Sequence, residues 1–273
     1  MRSVIYSGLA IAGGAGYISS KRLEKVHADV PLAGLPKRFE GFKIAVMSDF
    51  HSGAFITREQ IMEAVHIVNN ERPDIVALLG DYVDGAHSNG HKNVKDRCYV
   101  FDALKNLKAP HGIYAVLGNH DHKIDANTVR NKLSSLPLVI LDNRSIRLDN
   151  NLALAGVDDL WRGPSQPFRA IEHLSPDSVV IMLSHNPDVN IQLRGDDRVK
   201  LVLSGHTHGG QIRIPLTNRA LWVPCSRKYR GRAGLLRETE QRWTFITKGV
   251  GTSISPIRIA CPPDIGILRL MKS

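Results

Sequence analysis

The chain has 273 residues, a formal net charge of +10, 42% hydrophobic residues and three cysteines. This length suits one large α/β domain, and the apolar fraction is too high for a disordered chain. Three widely spaced cysteines without a Cys-x-x-Cys pair exclude a cysteine-based zinc cluster and give no disulfide framework. The positive charge favours anionic partners, such as phosphorylated metabolites, nucleic acid or a membrane surface.

No residue from Ser3 to Ser20 is charged, and this segment is moderately apolar because glycine and serine dilute its apolar residues. As a helix this segment would measure about 27 Å, at ~1.5 Å per residue, which is the lower limit for crossing a bilayer core. Lys21, Arg22 and Lys25 follow, a positive excess that would hold the next domain on the cytoplasmic face. We therefore expect residues 1–20 to be a membrane anchor, with a cleaved signal or a disordered or surface-packed tail as alternatives.

We interpret residues 21–41 as a basic, proline-containing linker and residues 42–273 as one domain. In that domain, short apolar runs that end in polar residues alternate with helical patterns. The main predicted strands are FKIAVMSD, DIVALLGD, GIYAVLGN, DSVVIMLSH and VKLVLSGH, with others near 138–141 and 152–157. Strands that alternate with helices predict βαβ units and a layered α/β domain.

The clearest predicted helix begins after Thr57. Thr57 and Gln60 have the spacing of a capping box, in which each side chain accepts a hydrogen bond from the other residue's backbone. Ile61, Val65 and Val68 then form an apolar stripe on one face. Two further helices are predicted, at about 94–107 and from Asp125.

Beyond Gln211 the pattern changes to short strand-like runs separated by glycine and proline. These runs are QIRIP, RWTFIT, PIRIA and DIGILRL. We expect them to complete a second sheet of the same domain.

Each of the five main strands ends in aspartate, asparagine or histidine. Because ligand sites of open α/β sheets gather at the carboxyl ends of the strands, we expect these side chains at one edge. In chain order they are Asp49 and His51, Asp81 and Asp84, Asn119 and His120, His185, and His206 and His208.

This set has the composition of a two-metal site. Carboxylate oxygens and imidazole nitrogens together suit divalent manganese, iron or zinc. Two such ions bridged by a carboxylate hold a phosphate group and supply a hydroxide nucleophile. The glycines of GHTHGG would let the backbone turn tightly and come close to ions and substrate. Glycine-rich turns with surface histidines are the alternative, but the ordered recurrence at five strand ends favours a metal site.

These motifs resemble those of the calcineurin-like metallophosphoesterases. The family series D-x-H, G-D-x-x-D, G-N-H-[DE], H and G-H-x-H is present in order from Asp49 to His208. The resemblance covers roughly Phe42 to the C-terminus. It implies an α/β fold, a four-layer αββα sandwich of two mixed sheets flanked by helices. It also implies a phosphoesterase with two divalent ions, and we expect manganese, with iron, zinc and nickel as alternatives.

The resemblance also implies a role for each strand-end residue. The implied metal ligands are Asp49, His51 and His208 for the first ion, Asn119, His185 and His206 for the second, and Asp81 as the bridge. His120 would protonate the leaving oxygen or stabilise charge on the phosphate. Asp84 would orient His120 through a hydrogen bond, since a carboxylate behind an imidazole fixes its tautomer.

Within the family, GHTHGGQ, SHNPD and the late TKGVGTS are similar to a bacterial, membrane-associated branch. That branch includes small-phosphodiester hydrolases and resembles enzymes that cleave UDP-2,3-diacylglucosamine in lipid A synthesis. We therefore expect a phosphorylated small-molecule or lipid-linked substrate, and an anionic membrane surface as a partner at the cytoplasmic face of a bacterial inner membrane. No protein partner is predicted.

Two other functions remain as alternatives to this interpretation. A nuclease-type phosphodiesterase is disfavoured because the chain has no recognisable DNA-binding module, so nucleic acid is not the expected partner. A non-catalytic scaffold of the same fold is disfavoured because the ligand set is complete.

Three residues outside these motifs have open roles. Arg213 is the best candidate for binding substrate, and it begins a stretch of six basic and no acidic residues that ends at Arg232. That stretch is either a positive rim beside the metals or a solvated basic face. We expect His122 to be a solvated loop residue, and Trp161 either belongs to the core or lines a substrate groove.

Overall fold

The computed structural model describes residues 22–85, 97–215, 217, 219–220, 223 and 225–273. The expected anchor at residues 1–20 therefore lies outside the described residues. Within the described ranges, no helix is long and apolar enough to cross a membrane.

Two six-stranded mixed sheets form the body of the described protein. Along the chain, the strands are β1 (Glu24–Leu32), β2 (Lys43–Met47), β3 (Ile75–Leu78), β4 (Ile113–Ala115), β5 (Val139–Ile140), β6 (Arg144–Arg147), β7 (Leu152–Gly156), β8 (Val179–Leu183), β9 (Val199–Ser204), β10 (Gly234–Arg237), β11 (Trp243–Ile246) and β12 (Asp264–Lys272). The first sheet has the order β1-β12-β2-β3-β4-β5, and the second has the order β10-β11-β9-β8-β7-β6.

Most strands of each sheet are parallel. In the first sheet β2 to β5 run in one direction, while β12 is antiparallel to β2 and β1 is parallel to β12. In the second sheet β7, β8, β9 and β11 are parallel, and the edge strands β6 and β10 are antiparallel to their neighbours. The carboxyl ends of the parallel strands are therefore free to build a site.

Helices cover the outer faces of both sheets. They are α1 (Arg58–Glu71), α2 (Tyr99–Leu104), α3 (Asn119–Ile124), α4 (Ala126–Ser134), α5 (Pro167–Ile171) and α6 (Val189–Gln192). Apolar residues of α1, α2 and α4 pack on the first sheet, and those of α5 and α6 pack on the second.

The residues of β2 show how the layers form. Successive side chains of a strand point to opposite faces. Ile44 and Val46 accordingly join the core between the two sheets, while Ala45 and Met47 pack under the helices. The predicted αββα sandwich is confirmed.

The start of α1 follows the sequence prediction. The Thr57 side chain accepts a hydrogen bond from the Gln60 backbone N–H at 3.3 Å, and the Gln60 side chain accepts one from the Thr57 N–H at 3.0 Å. Ile61, Val65 and Val68 are buried. The capping box and the apolar stripe are thus both confirmed.

The segment expected to be a linker contains β1. This strand pairs with β12 along its whole length, from Glu24 beside Asp264 to Leu32 beside Lys272. Its Val30 joins the core between the sheets, because alternate residues of the strand face inward. The folded domain of the described chain therefore includes Glu24 and does not begin at Phe42.

The C-terminal region differs from its prediction in two ways. DIGILRL, expected in the second sheet, belongs to β12, which lies between β1 and β2 in the first sheet. QIRIP and PIRIA form isolated bridges, such as that between Ile212 and Ile259, instead of strands. RWTFIT lies in the second sheet, as β11, in agreement with its prediction.

Candidate metal centre

The predicted ligands meet at the carboxyl ends of β2, β3, β4, β8 and β9. All seven are buried, with at most 9% of any residue exposed. Five site residues have left-handed backbone angles, which cost about 1–3 kcal/mol each outside glycine and cluster at functional sites. They are Asp49 (φ 56°), His51 (φ 47°), Asp81 (φ 54°), His206 (φ 67°) and His208 (φ 49°).

The first group of ligands contains Asp49, His51 and His208. The Nε2 atoms of His51 and His208 lie 3.0 Å apart. Oδ1 of Asp49 lies 3.4 Å from Nε2 of His208 and 3.9 Å from Nε2 of His51. One ligand atom from each residue therefore faces the same small volume.

The second group is centred on His185. Its Nε2 atom lies 3.1 Å from Oδ1 of Asn119, 3.1 Å from Nδ1 of His206 and 3.2 Å from Oδ2 of Asp81. The same Asp81 oxygen lies 3.5 Å from Nε2 of His51. Asp81 therefore lies between the two groups, at the position expected of a bridging carboxylate.

The chemistry of this donor set fits two divalent cations. Buried carboxylates are normally paired with cations or coordinated to metals. Within the described residues, the ion-pair partners of Asp49 and Asp81 are histidines. Imidazole nitrogens facing each other at 3.0 Å, with carboxylate oxygens around them, form a mixed nitrogen and oxygen ligand set for a transition metal.

The electrostatics of the cluster agree with this fit. Burial lowers the pKa of His185, but the Asp81 and Asp49 carboxylates outweigh it and raise that pKa to about 10. The Asp81 and Asp49 carboxylates thus favour a positive charge at the position of the His185 ring. Burial and the neighbouring His51 lower the pKa of His208 well below its ordinary value, so the two histidines differ in the charge that their surroundings favour.

His120 lies on the wall of the site, next to Asn119 in the chain. Its Nδ1 atom lies 3.5 Å from Oδ1 of Asp84, an ion-pair distance, and accepts a hydrogen bond from the Gly85 N–H at 3.0 Å. Burial lowers the pKa of His120, but Asp81 and Asp84 reverse this effect and raise it overall. Asp84 therefore lies within ion-pair distance of the imidazole, and its role in orienting His120 stays a prediction.

Asp121 was given no role from the sequence, although it occupies the last position of the motif G-N-H-[DE]. Its buried carboxylate accepts hydrogen bonds from the backbone N–H groups of Gly118 at 2.9 Å, Asp81 at 2.8 Å, Tyr82 at 2.9 Å and Val83 at 3.3 Å. It therefore joins the turn after β3 to the turn after β4.

Arg258 is a second positioning residue that the sequence did not reveal. Its guanidinium is fully buried and donates to the carbonyl oxygens of His208 and Cys261 at 3.1 Å, Lys248 at 2.7 Å and Gly251 at 2.6 Å. It fixes the backbone that carries His208. The only sequence signal was its place in the late PIRI segment.

Two glycines allow the backbone to approach the ligands closely. A Cβ atom on Gly118 would lie 2.3 Å from Oδ1 of Asp81, and one on Gly205 would lie 2.4 Å from Oδ2 of Asp49. Any side chain at either position would displace a carboxylate. The expected role of glycine beside the ligands therefore has a steric basis.

A cavity of about 330 Å³ opens beside the ligands, and Trp161 forms part of its wall. Trp161 is 51% exposed, and its ring stands edge-on to the His206 imidazole with centroids 4.4 Å apart. The Asp159 carboxylate fixes this loop by accepting hydrogen bonds from the N–H groups of Trp161 and Arg162. Of the two roles left open for Trp161, the structure supports the groove.

The loop at residues 253–255 forms another wall of the cavity. Ile254 is 64% exposed and has a left-handed backbone (φ 60°), which is strained for a β-branched residue. The Gln211 side chain holds this loop, since it accepts from the Ser253 N–H and donates to the Ser255 carbonyl oxygen. An exposed isoleucine is thus held at the mouth of a polar site.

Arg213 does not lie among the described residues that line the cavity, whereas Gln211 and Ile212 do. Its Nε atom donates to the Gly209 carbonyl oxygen at 2.6 Å, which holds the guanidinium against the backbone. The turn at Gln211, with φ at 51°, separates Arg213 from the ligands. The structure therefore does not support the predicted contact of Arg213 with substrate.

His122 is not a solvated loop residue, contrary to expectation. It lies on α3, its side chain is 11% exposed, and its Nε2 atom is 2.6 Å from Oδ1 of the buried Asp158. This hydrogen bond raises the pKa of His122.

Comparison with known proteins extends these observations. A family model described as calcineurin-like phosphoesterase matches residues 42–210. The uncharacterized metallophosphoesterase YkuE of Bacillus subtilis is 28% identical over 279 residues, which cover 99% of this chain and 94% of that protein. The phosphodiesterase YaeI of Escherichia coli is 31% identical over 240 residues, or 84% of this chain and 82% of YaeI.

A solved structure also shares the fold. The crystal structure of a dimetal phosphatase from Danio rerio aligns with a TM-score of 0.50 and 14% sequence identity. The aligned region covers 77% of this chain and 88% of the phosphatase chain. At that identity, the likeness concerns the fold alone.

Proposed function

This chain belongs to the calcineurin-like phosphoesterase family, and on that premise we propose that it is a two-metal phosphodiesterase that acts on a nucleotide-linked lipid or a related phosphodiester or pyrophosphate. Its activity class, metal-dependent hydrolysis of phosphoesters, follows from the family. The observation that carries the proposal is the convergence of seven buried ligand side chains, with Asp81 between two groups.

The residues divide into ligands and a proton donor. The proposed ligands are Asp49, His51 and His208 for one ion, Asn119, His185 and His206 for the other, and Asp81 for both. Bound ions supply Lewis-acid activation of water and neutralise charge on the phosphate, and manganese is the ion we propose. The carboxylate of Asp84, 3.5 Å from Nδ1 of His120, would stabilise the imidazolium form of that ring. As an imidazolium, His120 would donate its Nε2 proton to the leaving oxygen and become a neutral ring.

The walls of the cavity support a substrate with an apolar part. Trp161 and Ile254 line the cavity, and both are exposed beside charged ligands. An apolar part of the substrate would cover their apolar surface, which otherwise contacts water. UDP-2,3-diacylglucosamine combines a pyrophosphate with acyl chains, and we propose it as the first substrate to test. The apolar segment at residues 1–20 and the net charge of +10 support an encounter at an anionic membrane surface.

The first experiment measures Mn²⁺-dependent hydrolysis of bis-p-nitrophenyl phosphate and of UDP-2,3-diacylglucosamine. We expect Asp81→Asn and Asn119→Ala to abolish turnover while circular dichroism remains unchanged. Asp177→Asn and Asn150→Ala make the same chemical changes at exposed positions and should retain full activity. Full turnover in either ligand variant would refute the two-metal assignment. Cleavage of the small diester alone would refute the lipid substrate and leave the chemistry intact.

A further inference from the structure

A second groove, of about 520 Å³, adjoins the catalytic cavity. His120 lines the cavity and His122, on the same helix, lines the groove. Trp161 lines the cavity and Arg162, the next residue, lines the groove. Since neighbouring Cα atoms are ~3.8 Å apart, the groove and the cavity lie close together, with these residues between them.

The lining of the groove is strongly positive. It contains four arginines against two aspartates, so the formal surplus is two positive charges before His122 is counted. The two aspartates are already paired. Asp158 contacts Nη2 of Arg130 at 2.9 Å and Nε2 of His122 at 2.6 Å, and Asp142 contacts Nε of Arg130 at 2.7 Å.

The other three arginines keep donors available. Arg144 donates to the Ile140 carbonyl oxygen, and Arg169 donates to the Gln166 side chain at 3.0 Å. Among the described residues, none of Arg144, Arg162 and Arg169 has a carboxylate partner. A guanidinium has five N–H donors, and its planar fork matches a phosphate or carboxylate.

The loop that carries Arg162 is held in place. Its backbone N–H donates to the Asp159 carboxylate at 2.7 Å, and Asp159 is itself buried. Asp158, the residue before it, is fixed by Arg130 and His122. The backbone of this loop and the Asp158 carboxylate are therefore fixed, and the partly buried salt bridges of Asp158 support the positive surface beside the cavity.

We propose that this groove is an anion subsite, which binds a second phosphate or carboxylate group of the same substrate whose phosphoester is cleaved in the adjacent cavity. The inference rests on the proposed phosphoesterase function. The inference extends that function, because an anion subsite would make diesters that carry a second anionic group better substrates than diesters with a single charge.

The test compares two chromogenic substrates that differ by one phosphate, using full-length metal-loaded enzyme. They are the p-nitrophenyl esters of thymidine 5′-monophosphate and of thymidine 5′-diphosphate. We expect the ratio of kcat/KM for the diphosphate ester to that for the monophosphate ester to fall about tenfold in Arg162→Ala/Arg169→Ala. Arg58→Ala/Arg147→Ala removes two exposed arginines outside both spaces and should keep the wild-type ratio. An unchanged ratio in the first variant overturns the proposal.

A binding measurement separates this inference from the function itself. Calorimetric titration with methylenediphosphonate should show weaker binding to Arg162→Ala/Arg169→Ala than to the wild type. If the wild type cleaves neither ester, the phosphoesterase proposal fails, and equal diphosphonate affinities would then overturn the subsite as well. If the variant binds diphosphonate more weakly but keeps the wild-type kinetic ratio, the groove binds a free anion. That result would refute the proposal that it binds a second group of the substrate. Arg162 and Arg169 are exposed, so both variants should fold.

Discussion

Asp121→Asn tests whether one buried carboxylate holds two catalytic turns together. Each carboxylate oxygen accepts two backbone N–H groups, those of Gly118 and Asp81 on Oδ2 and those of Tyr82 and Val83 on Oδ1. Asparagine replaces one acceptor oxygen by a donor, so two buried N–H groups lose their partner. At about 1–3 kcal/mol for each unsatisfied buried group, the expected loss of stability is about 2–6 kcal/mol.

The assay is urea unfolding followed by circular dichroism, together with calorimetric titration of Mn²⁺. Because Asp121 positions the backbone of Asp81, we also expect Mn²⁺ affinity to fall about 10–100-fold. Asp177→Asn makes the same change at an exposed turn and should alter stability by less than about 0.5 kcal/mol. A stability loss below about 1 kcal/mol, with unchanged Mn²⁺ affinity, would refute the reasoning.

Three further predictions concern the metals, the cavity and α1. Chelation with EDTA should lower Tm by about 5–10 °C, because a ligand at 100 times its Kd stabilises by about 2.7 kcal/mol; an unchanged Tm would contradict a metal-stabilised fold. Trp161→Ala should raise KM for bis-p-nitrophenyl phosphate about fivefold without changing Tm, since the ring is half-exposed. Phe168→Ala, at an equally exposed aromatic outside the cavity, should leave KM unchanged, and equal KM in both variants would exclude the wall role. Thr57→Ala should lose about 1 kcal/mol in urea unfolding, and no loss would mean that the capping box is dispensable.

The ligand positions could be predicted because they follow a local rule. Each apolar run before them is buried, and Asp49, Asp81 and His206 follow within three residues of the strand ends. Parallel strand ends share an edge, so the spatial gathering follows from topology. The left-handed backbone at these residues could not be predicted, because aspartate and histidine adopt it only when surrounding contacts enforce it.

The linker prediction was wrong because it missed a non-local strand pairing, and the predicted contact of Arg213 with substrate depends on the direction of its side chain. Val26, Ala28 and Val30 alternate with polar residues, which is a strand pattern, but the partner of this strand lies at the opposite end of the chain. Charged residues on the outer face made the segment resemble a linker. Arg213 is five residues beyond His208, yet distance along the chain does not fix where a side chain points after a turn such as that at Gln211.

The pairing of β1 with β12 determines where the chain enters the domain. β12 runs antiparallel to β2, so Glu24 lies at the same edge as the end of β2, where Asp49 follows. Lys248 contacts Glu24 at 3.2 Å, and its neighbour Gly249 packs against Asp49. The chain therefore enters the domain at the sheet edge that carries the candidate metal site, and a bulky fusion joined ahead of Glu24 would be attached at that edge.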